Sequence, residues 1–326
     1  VTASKIASKT IGKDQISDSI LKYLKPEITS QPQAQTVYAD TNATFSVTAG
    51  GKYLTYQWKK DGSNVTGETS STLSITDANA TQHDGNYSVV VSNDFGSVES
   101  DLTEVMVKDA ILNGLVGWWK FDETNGTVAY DSSGNGNDGN LTNGPTWATG
   151  KIGGALSFDG VDDYIEVSSR KWTLNNTFTV SLWYFNQKDP GAIGTPFSLG
   201  WGQGMDEILL YLNDSKIRFF IHKSGGNYAT RFRSSSDSAW NNIVCSGSGG
   251  ITESKVNIFL NGNSVSSNYS TSGTPSLLSD DQNRTLRIGR RNTADPYYNK
   301  GLIDDVRIYD RALSAAEVQA LYNLGQ

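Results

Sequence analysis

One cysteine, Cys245, stands in 326 residues, so no internal disulfide framework holds this chain together. Histidine is nearly as scarce, with two copies far apart, and there is no Gly-x-Ser-x-Gly elbow. Nucleophilic triad chemistry therefore has little to work with. No apolar run approaches the ~20 residues of a membrane-spanning helix. No basic segment leads into an apolar one, so a secretion signal is expected to have been removed or to lie upstream. Cations are outnumbered, 27 Lys and Arg against 34 Asp and Glu, for a net charge of −7. That balance lacks the basic stripe nucleic acid requires, and it permits calcium and neutral or cationic glycans. Proline is rare at 7 residues.

Glycine, by contrast, is abundant at 33 residues, and Asn, Ser and Thr recur throughout. Short strands joined by many turns need this composition, which predicts an all-β chain. The length suffices for more than one domain and for a sizeable core. Disulfide-free β-proteins rich in Ser, Thr and Asn are common outside bacterial cells, so a secreted or cell-surface location is expected.

The segment 1–25 stands apart. Val1, Ile6, Ile11, Ile16 and Leu21 are spaced five apart, a period that suits neither a simple amphipathic helix nor a strand. One apolar residue per repeat cannot build a core alone but can do so against copies of itself. A short helical stripe over Ile16, Ile20, Leu21 and Leu24 runs up to Pro26. The Val-Thr-x-Ser-Lys-Ile wording resembles the repeats of phage-tail-like and bacterial surface fibres. That resemblance implies a stalk and a homotrimer formed through residues 1–25; the alternative is a flexible linker.

Residues 26–108 read as a second unit. Strand-like runs at 44–48, 55–59, 72–75, 85–92 and 97–107 alternate with turns such as Gly50-Gly51 and Asp61-Gly62, the spacing of a sandwich. Trp58 followed by HDGNYSVVVSNDFGS resembles the immunoglobulin-like domains of bacterial surface proteins. The resemblance makes Trp58 the core tryptophan, Tyr87 the corner tyrosine, and Val47 and Val89 the residues standing where a disulfide would be. His83 reads as a turn residue. The loops show no cluster of exposed aromatics, so a spacer role is expected.

Residues 109–326 carry the strongest patterning. Alternating runs at 178–184, 208–212, 216–221, 240–245, 255–260, 285–289 and 302–309 predict about a dozen antiparallel strands in a two-sheet jelly roll. Asn261-Gly262 signals a hairpin. Ser314 with Glu317 three residues on signals a capped C-terminal helix over 314–323. The stretch 114–167 and its echo GLIDDVRIYDRAL suggest that the first and last strands meet. The pieces GLVGWWKFDE, DSSGNGNDG, GKIGGALSFDGVDDYIEV, FTVSLW, IFLNG and GLIDDVRIYDRALSAAEVQALY occur in order. Together they resemble the laminin-G-like, concanavalin A-like jelly-roll family, which implies a non-enzymatic, often glycan-binding sandwich with one calcium ion.

Calcium takes several hard oxygen ligands. Asp304, Val306 and Ile308 share a face by two-residue alternation, which places Asp304 at the core rim. Resemblance to beta-glucanases of the same jelly-roll class makes Asp304 the first calcium candidate. Asp122 and Asp159 follow, with Asn135 as a further donor; the alternative is that these acids cap turns or pair with Arg307 and Arg311.

Asp206 and Glu207 are adjacent and face opposite sides of a strand, so no glucanase-like carboxylate row is expected. Trp118, Trp119, Trp183 and Trp240 read as framework and Cys245 as core. Glycan recognition needs exposed rings and planar polar groups. Trp201, Tyr297, Tyr298 and Arg291 form the expected patch, with Trp172, Tyr228 and Arg231 in or beside further loops. The resulting expectation is a non-enzymatic adhesin or fibre tip binding a glycan or a surface protein. A carbohydrate-binding appendage of a polysaccharide-degrading enzyme and a subunit of a self-assembling fibre are the alternatives.

Overall fold

A computed structural model describes the chain except residues 1–24, 173, 175–176, 188–192, 202–204, 214–215, 224–226, 235–238, 249–255, 266–269, 272–282 and 293–296. The stalk and its trimer lie outside the described residues. The chain divides into two compact units, Val1–Asn113 and Gly114–Gln326. Among the described residues no helix is long and apolar enough to cross a membrane.

The first unit is a small β-sandwich. Its largest sheet pairs the strands Thr55–Lys60 and Gly85–Asn93, with Trp58 opposite Val89. Thr103–Lys108 lies on the other side of Gly85–Asn93 and also pairs in parallel with Gln35–Tyr38. Trp58 is fully buried and donates its indole N–H to the Ser70 carbonyl at 3.0 Å. The Tyr87 hydroxyl donates to the His83 carbonyl at 3.1 Å, which pins the corner. Val47 and Val89 are both buried, so apolar contact does the work a disulfide would do; each contributes roughly 1.5–3 kcal/mol. His83 closes the helical turn Ala80–His83, and its Nδ1 accepts the Asn79 N–H at 3.0 Å.

The second unit is a two-sheet jelly roll. One sheet has eight strands and the other nine. At the centre of the eight-stranded sheet, Lys300–Tyr309 runs between Thr177–Asn186 and Gly154–Asp159. Leu115–Trp119 also joins Lys300–Tyr309, with Trp118 opposite Arg307, so the first and last strands do meet. Between the sheets lies one core that includes Trp119, Phe121, Phe158, Leu182, Phe197, Ile288, Val306 and Ile308. Cys245 is part of this core, and burial pushes its thiol pKa up.

The last strand departs from simple alternation. Opposite Thr177–Asn186 the register runs Ser181 to Arg307 and then Trp183 to Asp304, two residues facing one. Asp305, at φ +49°, is the extra residue of this bulge. The slip keeps Ile303, Val306 and Ile308 in the core and turns Asp304 to the opposite face beside Trp183. Asp304 is therefore not on the face of Val306, contrary to the alternation argument.

The helix Ala315–Asn323 packs on that opposite face. Its capping box is present, with Ser314 and Glu317 bonding each other's backbone N–H. Val318 and Leu321 are buried, and Tyr322 stacks on Trp183 at 5.7 Å.

Candidate functional site

The nine-stranded sheet turns its other face outward. Ile165, Val167, Leu286, Ile288, Leu199, Ile208 and Leu210 point into the core. Strand alternation then places Tyr164, Glu166, Arg287, Ser198, Tyr211 and Arg218 on the outer face. The segment after the strand Asn283–Ile288 returns across this face. Gly289 starts the turn at φ +90°, and a Cβ there would stand 2.5 Å from the Phe158 ring. Its N–H donates to the Pro196 carbonyl, and its carbonyl accepts the Asn299 N–H at 2.8 Å. Both ends of the returning segment are thus pinned at one point.

Three side-chain groups fix it. Arg291 donates from Nε and Nη2 to Glu207 Oε2 at 3.2 and 3.1 Å, while Ser198 donates to Glu207 Oε1 at 2.7 Å. Glu207 is buried, which a carboxylate tolerates only with partners of this kind. Asn292 donates its N–H to Ser198 Oγ and its amide to the Thr285 carbonyl. On one side of this strap, Tyr297 meets Tyr211 edge-on at 6.1 Å, and the Arg218 guanidinium lies 5.6 Å from the Tyr211 ring. On the other side, Arg290 sits between two rings, 5.0 Å from Tyr164 and 5.4 Å from Tyr298. Arg287 pairs with Glu166 at 2.8 Å beside them.

The outer face therefore presents half-buried tyrosine rings interleaved with guanidinium and carboxylate groups. Of the expected patch, Tyr297, Tyr298 and Arg291 come together here. Arg291 is a strut, since its charge is already matched by Glu207. Trp201 ends the strand Ile193–Trp201, and its side chain lies outside the described residues. Tyr228 and Arg231 belong to the strand Asn227–Ser234 rather than to a loop, opposite His222 and Phe219; their side chains too lie outside the described residues. Trp172 is a correction. It is 1% exposed, packs in the core and donates its indole N–H to the Arg284 carbonyl at 3.0 Å, so its ring is closed to a ligand.

Sequence reading placed Arg290 beside a likely recognition loop but passed over Tyr164, Glu166, Arg287 and Tyr211. The signal for the first three was present: they fill the polar positions of strands whose alternate positions are Ile, Val and Leu. Glu207 was weighed only as half of an acid pair, because its partner Arg291 is 84 residues away.

The four expected calcium ligands fall in three places whose hydrogen-bond partners do not overlap. Asp304 Oδ2 accepts the N–H groups of Lys151 and Ile152, each at 2.8 Å, and Asp122 Oδ1 accepts the Gly154 N–H at 2.8 Å. These two acids clamp one glycine-rich turn. Burial is the main reason the Asp304 pKa rises to about 7; the two N–H groups pull it down, and Asp305 and Asp122 push it up. Asn135 spends its amide as a donor, to the Leu115 and Val116 carbonyls at 3.1 Å. Through these N–H groups it braces a loop.

Asp159 sits elsewhere, with Asp162 and Asp163. Ligand oxygens of all three lie within 4.8 Å of one another. Asp163 is buried, and its pKa is raised by that burial, with Asp159 and Asp162 adding repulsion against the pull of the Asp159 N–H. Next to this turn is Asn299, fully buried with neither amide atom hydrogen-bonded. It adjoins Lys300, the strand partner of Asp159. The three carboxylates supply hard oxygen donors of the kind calcium takes.

Comparison with known proteins agrees with this architecture. Residues 159–319 match the family described as the concanavalin A-like lectin/glucanases superfamily, and residues 25–93 match the immunoglobulin domain family. No curated protein matches the chain. Among solved structures, the binding domain of botulinum neurotoxin DC in complex with SialylT has 14% identity and a TM-score of 0.52, over 67% of this chain and 53% of the toxin chain. The binding domain of botulinum neurotoxin serotype D has 15% identity and a TM-score of 0.52, over 66% and 52%. Domain 4 of AbnA, an extracellular GH43 arabinanase from Geobacillus stearothermophilus, in complex with arabinotriose, has 25% identity and a TM-score of 0.49, over 65% and 98%. The chain spans about half the length of the toxin chains, and that likeness is one of fold.

Proposed function

We propose that this chain, an immunoglobulin domain followed by a concanavalin A-like head, is a non-enzymatic extracellular adhesin whose head binds a glycan. The binding surface is the outer face of the nine-stranded sheet. The observation that carries this reading is the segment pinned at Gly289 and Asn299. It brings Tyr297 and Tyr298 beside Tyr211 and Tyr164 on a rigid sheet. Sugar rings offer C–H faces to aromatic rings and hydroxyls to planar charged groups, and this face supplies both. On the opposite sheet the C-terminal helix covers the outer face around Trp183.

Carboxylate chemistry supports binding rather than hydrolysis. Glycoside hydrolysis uses two carboxyl groups flanking the scissile bond, roughly 5–9.5 Å apart. The described carboxylates Glu166 and Glu207 of this face are each engaged by an arginine, so neither stands free to flank a scissile bond.

Retention on immobilised polysaccharides tests the reading. Tyr298→Ala and Tyr297→Ala should each weaken retention about tenfold, since a ring contact of 0.5–1.5 kcal/mol approaches a factor of ten. Undiminished retention of both variants rejects the site.

A structural calcium belongs to the same proposal, at Asp159, Asp162 and Asp163 rather than at Asp304. When bound, the ion would neutralise mutual repulsion among the three acids and fix the turn between the strands Gly154–Asp159 and Tyr164–Lys171. Asp159 already organises that turn by accepting the Val161 N–H at 2.8 Å.

A further inference from the structure

The immunoglobulin unit was expected to be a spacer, yet it carries a cleft of its own. Two turns form it, one after the strand Thr48–Gly50 and one between Gly85–Asn93 and Gly96–Glu99. The cleft measures about 290 Å³, just below the roughly 300–1,000 Å³ range of drug-sized ligand sites, a size for a small ligand. Tyr53 and Phe95 contribute rings, Lys52 and Asp94 opposite charges, and Thr55 and Ser92 hydroxyls.

Tyr53 is the residue that needs explaining. It is 74% exposed, so its ring makes little contribution to the core. Its φ is +56°, a left-handed conformation that costs a residue bearing a Cβ roughly 1–2 kcal/mol. Glycine would relieve that cost. A large aromatic held exposed at such a position points to a role outside folding, the direction in which inference from backbone strain properly runs.

The site is also built in advance. Asn93 donates its amide to the Lys52 carbonyl at 2.8 Å, tying one turn to the other. Its Oδ1 accepts the Phe95 N–H at 2.8 Å, which sets the second turn. Below them the Thr55 and Ser92 hydroxyls bond each other at 2.9 Å. A ligand entering here finds the two turns already fixed, so little ordering entropy is lost on binding.

From this geometry we infer that the cleft is a second carbohydrate site, taking one neutral sugar unit of a glycan. An exposed ring face suits sugar C–H groups. Ammonium, carboxylate and hydroxyl groups together suit sugar hydroxyls, and their opposed charges give no preference for an ionic ligand. The inference stands on the neck alone and does not depend on the head site.

Affinity electrophoresis of the full chain through gels containing arabinan, mannan or mixed-linkage glucan tests it. The parent chain should be retarded in at least one gel. Tyr53→Ala should weaken that retardation about tenfold, and Tyr53→Phe should keep most of it. Tyr53→Gly is the decisive variant: relief of strain should leave its Tm equal or higher while retardation falls as for alanine. Tyr298→Ala, run beside these, separates the sites. Loss with Tyr298→Ala alone supports the head and overturns the neck site. Loss with Tyr53→Ala alone supports the neck and rejects the head. Parent-like retardation of Tyr53→Gly in every gel, or no retardation of the parent in any, overturns the inference.

Discussion

Two acid-bearing turns of the head use the same residue types to opposite effect. In the turn under Asp122 and Asp304, each described carboxylate contact is a backbone N–H, and glycines bring the chain close enough to make it. In the turn of Asp159, Asp162 and Asp163, the carboxylates stand against one another. The first clamps the backbone through one oxygen of each acid, while Asp304 Oδ1 is buried without a hydrogen-bond partner and Asp122 and Asp305 raise the Asp304 pKa. The second holds repulsion that a cation would relieve. Both turns give their acids backbone N–H partners; the difference lies in burial, since Asp304 is fully buried while Asp159 and Asp162 stand exposed.

Among the substitutions, the largest expected effect breaks the clamped turn. A Cβ at Gly154 would lie 2.1 Å from the Phe121 carbonyl oxygen, a backbone contact that no rotamer can relieve. Gly154→Ala should cost roughly 3 kcal/mol, read as a drop in the head's Tm. Asp304→Ala comes next, at about 2 kcal/mol: two N–H groups lose their acceptor, and removal of a buried charge offsets part of that. If instead Asp304→Ala matches the parent, the clamp is not a source of stability.

The second turn should respond to metal. Millimolar calcium should raise the head's Tm by several degrees, and EDTA should reverse the rise, because an ion bound only to the folded state stabilises by mass action. Asp162→Asn should abolish the calcium response, while Asp304→Asn should leave it intact. The reverse pattern would return the ion to Asp304.

A further effect is in pH. Asp304 is protonated more readily in the folded chain, at about 7, than the ordinary aspartate value of 3.8. Between those values the folded state binds the extra proton, so this group's contribution to stability falls as pH rises from about 4 to about 7 and then levels. The groups facing it are Asp305, Asp122 and the N–H groups of Lys151 and Ile152. Asp304→Asn should flatten that slope in denaturation measured across the range.

Much of the fold was legible in the residues. Trp58 and Tyr87 marked the immunoglobulin unit, Ser314 and Glu317 the helix, and the echo of 114–167 in the last strand their pairing. These are local patterns, or patterns repeated along strands, and the physics behind them is local. The bulge at Asp305 was not legible. Asp-Asp in a strand carries no signature of positive φ; the slip arises because Ile303, Val306 and Ile308 all claim the core. The strand Asn227–Ser234 was missed because NYATRFR lacks apolar alternation, and its pairing with Lys216–Lys223 overrides that weak preference. Tyr53 was missed for a similar reason, since nothing in GGKYLT announces a left-handed tyrosine.

By itself, then, the sequence determined the immunoglobulin-like and jelly-roll units, the all-β class and the capped helix. Only the tertiary structure decided which aromatic residues are free to act. Trp172 went inside and Tyr297 and Tyr298 stayed out, although all three looked alike as loop residues. Glu207 and Arg291 became a strut, and Asp304 and Asp159 parted company. Each of these outcomes depends on where a distant strand passes. A side chain's availability is set by neighbours tens to hundreds of residues away, and no local spacing encodes that distance.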